Sequence, residues 1–552
     1  MKRTMMRATL SLSLAALGCG AAPPAKPAAS PGSIEVQYES AAKPPAEAAA
    51  TFWAGRKDLI QAPPPPKPEA LKLPQIDRFT LPDGLQVIVV ARKELPVVSF
   101  GLAVQAGGYD EDRDSLGVSD FVAAMLRKGT KGTGHGAKVR SADDISRAID
   151  FVGGALDAQA SNEGTTVSCS ALSKDAPLCL DLLSDVLLHP SFPEGEMADV
   201  RDQMLAAVAS RYDSPGELAS AHFDNQLFGE SHPNGWVLTA DDVHKIDRAK
   251  LEKFWKTFYR PAHAILAVAG DVDLARLKPQ IEKTFRGWAK GSAPARPGWT
   301  IPPLAGTRML LVDRPDLTQA TVVLGHAGIR HADPHWYAVT LMNYVLGGSD
   351  FSSRLMTEVR AKRGLTYGIG SSFGASLYEG AFRVSAATKN ETVWDALLAS
   401  VNEIRRMQAD GPTADELAKA KGYYAGSYPF ALQTASGIAG ALVGAEQHGL
   451  GIGYVRDLPL RLAAVDEAQA KAAGKDFLHP DTLLVVIVGK GDAIEPQLAQ
   501  SGVQYQRINF KDPIDAAARA AAKKATPAPA PAPAAVPAPA AAPALAATPP
   551  KK

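Results

Sequence analysis

What most constrains the fold of this chain is that it repeats itself. Phe258-Tyr-Arg-Pro261 leads into the apolar run Ala264 to Ala269 and then Gly270. Phe477-Leu-His-Pro480 leads into Leu483 to Val488 and then Gly489, so Phe, Pro and Gly recur at one offset of 219 residues. The openings of the two halves match at nearly the same spacing. Leu85 to Val90 and Val97 to Ala106-Gly107 stand against Met309 to Val312 and Ala320 to Ala327-Gly328. Two similar domains are predicted, 75–290 and 303–510, joined by the Gly- and Pro-rich segment Gly291 to Pro303. Inside each, strands alternate with amphipathic helices. Thr165 to Ala171 reads as a strand, Ala176 to Leu188 as a helix with Leu178, Leu182 and Val186 on one face, and Met197 to Ser210 as a second helix. The expected class is α+β: two homologous domains, each a mainly antiparallel sheet packed with helices.

The segments on either side cannot bury a core. Residues 20–74 are rich in Ala and Pro and read as a tether; 523–552 are nearly all Ala and Pro and read as a disordered tail. Ahead of the tether, Lys2, Arg3 and Arg7 form a positive region, Ala8 to Leu17 an apolar run, and Ala16-Leu17-Gly18-Cys19 closes it. That run is half of the roughly 20 residues needed to span a bilayer, so residues 1–19 read as a signal peptide. A cysteine there resembles the lipobox of bacterial lipoproteins. The resemblance implies lipidation of Cys19 and a protein anchored to, not crossing, a membrane of the bacterial cell envelope, at the outer membrane or periplasm. A soluble secreted protein cut nearby is the alternative.

Lys plus Arg, 59, and Asp plus Glu, 58, nearly cancel, so the overall basic excess of a nucleic-acid binder is missing. Cys169 and Cys179 make neither a metal-type CxxC pair nor a disulfide framework. One bridge in an oxidising compartment and two buried thiols both remain open.

A set of short segments, in order, carries a more specific resemblance. They are Leu81-Pro-Asp-Gly-Leu-Gln-Val87, Gly107-Gly108, Gly117-Val118, Met125-Leu126-Arg-Lys-Gly-Thr130, Leu227-Phe-Gly229 with His232-Pro233 and Gly235, and Asn343 to Gly348 with Ser352-Ser353-Arg354-Leu355. Together they resemble the pitrilysin/insulinase family of zinc metallopeptidases across the whole folded block, which implies its processing-peptidase-like fold. That family carries His-x-x-Glu-His on a helix. Two histidines at i and i+4 grip Zn²⁺, the glutamate is the general base, and a distal glutamate completes the site. Here Asp120 stands at the first histidine, Ala123 at the base, Ala124 at the second histidine and Ala207 at the distal glutamate. One carboxylate makes a poor zinc site, because tight binding takes three or four ligands. Among other histidines, His135 lies in a Gly-rich insertion, His331 and His335 sit beside the helix-breaking Asp333-Pro334, and His232 reads as structural.

Some members of that family divide the enzyme over two subunits, the second bringing an arginine and a tyrosine seven residues apart. Glu358-Val-Arg360-Ala-Lys-Arg363-Gly364-Leu-Thr-Tyr367 fits, with Arg360 and Tyr367 at the matching positions. The resemblance implies that they hold substrate backbone and stabilise an oxyanion. Ser353 to Lys362 is predicted as a helix, Gly364 as its cap and Tyr367 to Phe373 as a strand. Gly154 to Ala160, with Asp157 and Ala158, resembles the edge strand that pairs with extended substrate. Three readings follow. The first is a non-catalytic subunit beside a homologous zinc-bearing partner, acting on extended peptides. The second is a scaffold or peptide-binding lipoprotein; the third is a self-sufficient zinc peptidase, against which the four replaced positions argue.

Overall fold

The computed structural model describes residue 67 and residues 69–134 and 136–515. Cys19, the signal peptide, most of the tether, His135 and the Ala/Pro tail lie outside these residues.

Two six-stranded sheets dominate. The first half provides β1 (Ile76–Thr80), β2 (Gln86–Ala91), β3 (Val97–Val104), a two-residue pair β4 (Gly129–Thr130) and β5 (Arg140–Ser141), then β6 (Ala155–Ala160), β7 (Thr165–Leu172) and β8 (Ala264–Gly270). The second provides β9 (Arg308–Asp313), β10 (Gln319–Ala327), β11 (Thr366–Phe373), β12 (Ala381–Lys389), β13 (Leu484–Gly489) and β14 (Gln506–Asn509). The first sheet runs β1-β2-β8-β3-β7-β6 and the second β14-β9-β13-β10-β12-β11. Strands β2, β8, β3, β7 and β6 thus have counterparts in the same order: β9, β13, β10, β12 and β11. Pairing is antiparallel except for β2 with β8, β13 with β9 and β14 with β9. β6 and β11 are the matching outer edges.

The central strands are apolar on both faces, as β8 and β13 show by being buried throughout. In the first half, one face packs on helices of its own half: Val87, Val89, Phe100 and Leu102 meet Phe121, Leu182 and Leu183. The other face is covered by a helix from the opposite half. Helix Ala435–Gln447 lays Ile438, Leu442 and Val443 on Ile88, Val90, Ala103 and Ile265. Reciprocally, helix Pro215–Phe228 of the first half lays Leu218, Phe223 and Leu227 on Leu310, Val312, Val323 and Val486 of the second sheet. Each half therefore completes the core of the other, and Leu71 and Leu73 pack onto this shared layer.

Cys169 on β7 and Cys179 on helix Ala176–Leu188 form a disulfide, which settles the question the spacing left open. Among the described residues, no helix is long and apolar enough to cross a membrane.

Candidate functional site

The positions that the resemblance assigns to the zinc motif lie on two packed helices. Helix Val118–Leu126 starts after Gly117, and the Glu111 carboxylate satisfies two of its free N-terminal backbone donors. It accepts from the Gly117 and Ser119 N–H groups, both at 2.8 Å, and from Ser119 Oγ at 2.6 Å. Burial nevertheless pushes Glu111 up to about 7. Asp120 follows in the first turn. It is exposed where it lines the cleft, and partial desolvation of its carboxyl there raises its pKa. Ala123 is buried and Ala124 packs against the core, while Ala207 lies on the exposed side of helix Glu194–Ser210.

Zinc does not fit this set. Three of the four positions end in a methyl group, which has no lone pair to give. Among the described residues, no three His, Cys, Asp or Glu side chains gather into a group able to hold a metal ion. What remains is a polar cleft of about 340 Å³ that Glu111 and Asp120 share with Arg211 and Asp224. Asp224 also lines a neighbouring cleft of about 570 Å³, which reaches Ser372, Ser376 and Arg383 of the second half. Asp224 and Arg383 form an ion pair across the halves. Burial pushes Asp224 up to about 6 even though Arg383 pulls it down.

Arg360 and Tyr367 come together on the outer edge of the second sheet. The Arg360 guanidinium carbon lies 5.1 Å from the centre of the Tyr367 ring, and that side chain is 88% exposed. The helix begins at Arg354, one residue after the expected start, and winds as π-helix from Met356 to Lys362. Such turns recur at functional sites. Gly364, at φ 64°, turns the chain into β11, which starts at Thr366. The positive φ is one that a side chain resists.

A third residue joins them that the sequence reading missed. The Phe351 ring centre lies 4.8 Å from the Arg360 guanidinium carbon, and Phe351 is 75% exposed. An isolated aromatic in a Gly/Ser turn carries no periodic signal, so only the tertiary structure reveals it.

Among the described residues β6 pairs with β7 alone, so its outer edge is open to a further strand. Ala158 points into the core. Asp157 points out, accepting from Gln159 Nε2 at 2.7 Å and facing Arg127 Nη2 at 3.4 Å.

His232 is buried; its Nδ1 accepts from the Asn234 N–H at 3.0 Å, and its ring lies against Phe228 and Trp299. His335 lies in a turn beside Asp333, at 2.9 Å. His331 belongs to a chain of hydrogen bonds that the sequence did not reveal. Tyr454 OH donates to His331 Nε2, His331 Nδ1–H to His448 Nδ1, and His448 Nε2–H to Glu163, each at 2.8 Å. This chain ties the β6–β7 hairpin to the second half. Burial holds His331 down at about 4, with His448 adding to the effect.

Residues 86–232 match the family model described as Insulinase (Peptidase family M16), and residues 245–424 the model described as Peptidase M16 inactive domain. An uncharacterized zinc protease of Streptomyces coelicolor is 30% identical over 421 residues, covering 75% of this chain and 89% of its own length. One from Mycobacterium tuberculosis is 32% identical over 381 residues, covering 67% and 83%. The crystal structure of a peptidase M16 inactive domain from Pseudomonas fluorescens superposes with a TM-score of 0.69 at 28% identity, over 75% of this chain and 98% of that one. A protease from Helicobacter pylori shares the fold, with a TM-score of 0.67 at 20% identity, over 75% of this chain and 100% of that one.

Proposed function

The chain belongs to the insulinase family, peptidase family M16, and on that premise we propose that it is the non-catalytic subunit of a two-chain zinc peptidase. A homologous partner bearing His-x-x-Glu-His brings the metal, the activated water and the general base. This chain brings Arg360 and Tyr367. The observation that carries the reading is that both halves of the pattern occur in one molecule. Asp120, Ala123, Ala124 and Ala207 cannot build the zinc site, while Arg360 is held over the ring of an exposed Tyr367.

A guanidinium and a phenol are both hydrogen-bond donors. Donors fixed in advance stabilise the oxyanion of peptide hydrolysis without reorganising during the reaction. The open edge of β6, around Asp157 and Ala158, suits an extended peptide added as a further strand through main-chain hydrogen bonds. We place the protein in the bacterial cell envelope, held by a lipid on Cys19. The Cys169–Cys179 bridge supports export, since such bridges persist in oxidising compartments.

The test is a pull-down with a tagged chain lacking residues 1–19, followed by zinc analysis and a peptide-cleavage assay. Co-purification of a zinc-bearing homologue, with cleavage that falls on Arg360→Ala or Tyr367→Phe, supports the proposal. A chain that comes down alone, metal-free and inert has kept the fold for scaffolding.

A further inference from the structure

This inference rests on the role given above to Arg360 and Tyr367, and concerns what holds them. A surface arginine ordinarily samples many rotamers and loses that freedom only when something fixes its planar head. The neighbours Lys362 and Arg363 are fixed by Glu358, at 2.9 and 3.1 Å. Among the described residues Arg360 has no such acceptor. Its partners are the two rings of Phe351 and Tyr367. Ring contacts hold a cation without using up its N–H groups on a carboxylate. The donor edge stays available to a carbonyl oxygen.

Phe351 has no other evident task. It is exposed, so it fills no core, and turn chemistry is already supplied by Gly348-Ser349-Asp350. The turn is tied to the same strand that carries Tyr367. Asn343 Nδ2 donates to the Ser371 carbonyl at 3.1 Å, and Ser371 Oγ donates to Asn343 Oδ1 at 2.7 Å. Gly347 comes so close that a Cβ would lie 2.6 Å from the Ser371 nitrogen. A turn, a helix and an edge strand thus bring Phe351, Arg360 and Tyr367 to one point.

We propose that Phe351 is a positioning residue, which fixes the Arg360 guanidinium beside Tyr367 and presents its N–H groups to substrate.

The first measurement needs no partner. The full chain is treated with phenylglyoxal, an arginine-selective reagent, and modification at Arg360 is followed by peptide mass mapping with Arg363 as internal reference. Phe351→Ala is expected to speed labelling of Arg360 about three- to fivefold, from the loss of one exposed cation–π contact, and Phe351→Trp to restore the slow rate. The melting temperature should fall by no more than about 2 °C. In the reconstituted complex, Phe351→Ala should lower kcat more than it raises KM, and its effect should vanish in an Arg360→Ala background. An unchanged labelling rate overturns the proposal. So does a loss of activity that persists without Arg360, which would make Phe351 a substrate contact. If Arg360→Ala is itself silent in the complex, the proposed function fails and labelling alone decides what Phe351 does.

Discussion

Arg360 and Tyr367, seven residues apart in the chain, stack with 5.1 Å between guanidinium carbon and ring centre. The corner at Gly364 folds the end of a helix back beside the start of an edge strand and brings two donors to one place. In the proposed complex with a zinc-bearing homologue, Arg360→Ala should lower kcat by roughly 10²–10³-fold, the usual cost of one oxyanion donor. Stability should fall by no more than about 1–2 kcal/mol, since the half-buried Arg360 loses its two ring contacts. Steady-state kinetics with thermal melts on the same preparations check both.

The replaced motif makes a gain-of-function prediction. After equilibration with Zn²⁺ and dialysis, the wild-type chain should retain far less than one metal per molecule. Asp120→His, Ala124→His and Ala207→Glu together should raise retention toward one, since the two histidines are spaced i and i+4 and their helix packs on that of Ala207. Elemental analysis reads the outcome, and full occupancy in the wild type would sink the argument that the site is lost.

His326 sets an acid limit. It is buried on β10, where Nδ1–H donates to the Ala327 carbonyl at 2.7 Å and Nε2 accepts from the His479 N–H at 3.1 Å. A proton on Nε2 would face that donor. Burial, with a smaller contribution from His479, lowers its pKa to about 4. The unfolded chain therefore binds the proton first. The stability that neutral His326 contributes is complete above about pH 6.5 and is lost as pH falls toward 4. Glu111, raised to about 7, acts with the opposite slope, its contribution fading as pH rises through 7. Urea unfolding from pH 7 to pH 4 should therefore show a shallower loss in His326→Gln than in wild type.

Arg296, in the segment joining the halves, grips the buried carboxylate of Asp110 through two hydrogen bonds, at 2.9 and 2.7 Å. Arg296→Met should cost about 3–5 kcal/mol, because it strands a buried charge. Adding Asp110→Asn should recover part of that loss. Denaturant unfolding of both variants provides the comparison.

The Cys169–Cys179 bridge joins two positions separated by 10 in the chain. Replacing both cysteines by alanine should destabilise the fold by about 2–4 kcal/mol, with the same dithiothreitol-insensitive stability before and after reductant. Wild type should fall to that level only when unfolded under reducing conditions, since both sulfurs are buried.

Much of this protein was legible in its sequence. The 219-residue repeat led to two α+β units, and the two sheets run in matching strand order. Three of the four positions that the resemblance assigns to the motif are alanines, and a methyl group offers no donor atom whatever the fold. The spacing from Arg360 through Gly364 to Tyr367 implied a helix end, a corner and a strand. These are local properties, in which residues a few positions apart are placed by backbone geometry alone.

The tertiary structure decided the rest. Periodicity shows that a strand is apolar on both faces but not what covers it. Here each sheet is finished by a helix from the other half, Ala435–Gln447 on the first and Pro215–Phe228 on the second. Glu163 meets His448 across 285 residues of chain, and Asp224 meets Arg383 across 159. Phe351 reaches Arg360 only because Asn343 and Ser371 tie its turn to β11. Such partners are chosen by packing in three dimensions, where separation along the chain costs only slowly rising loop entropy and leaves no periodic trace in the sequence.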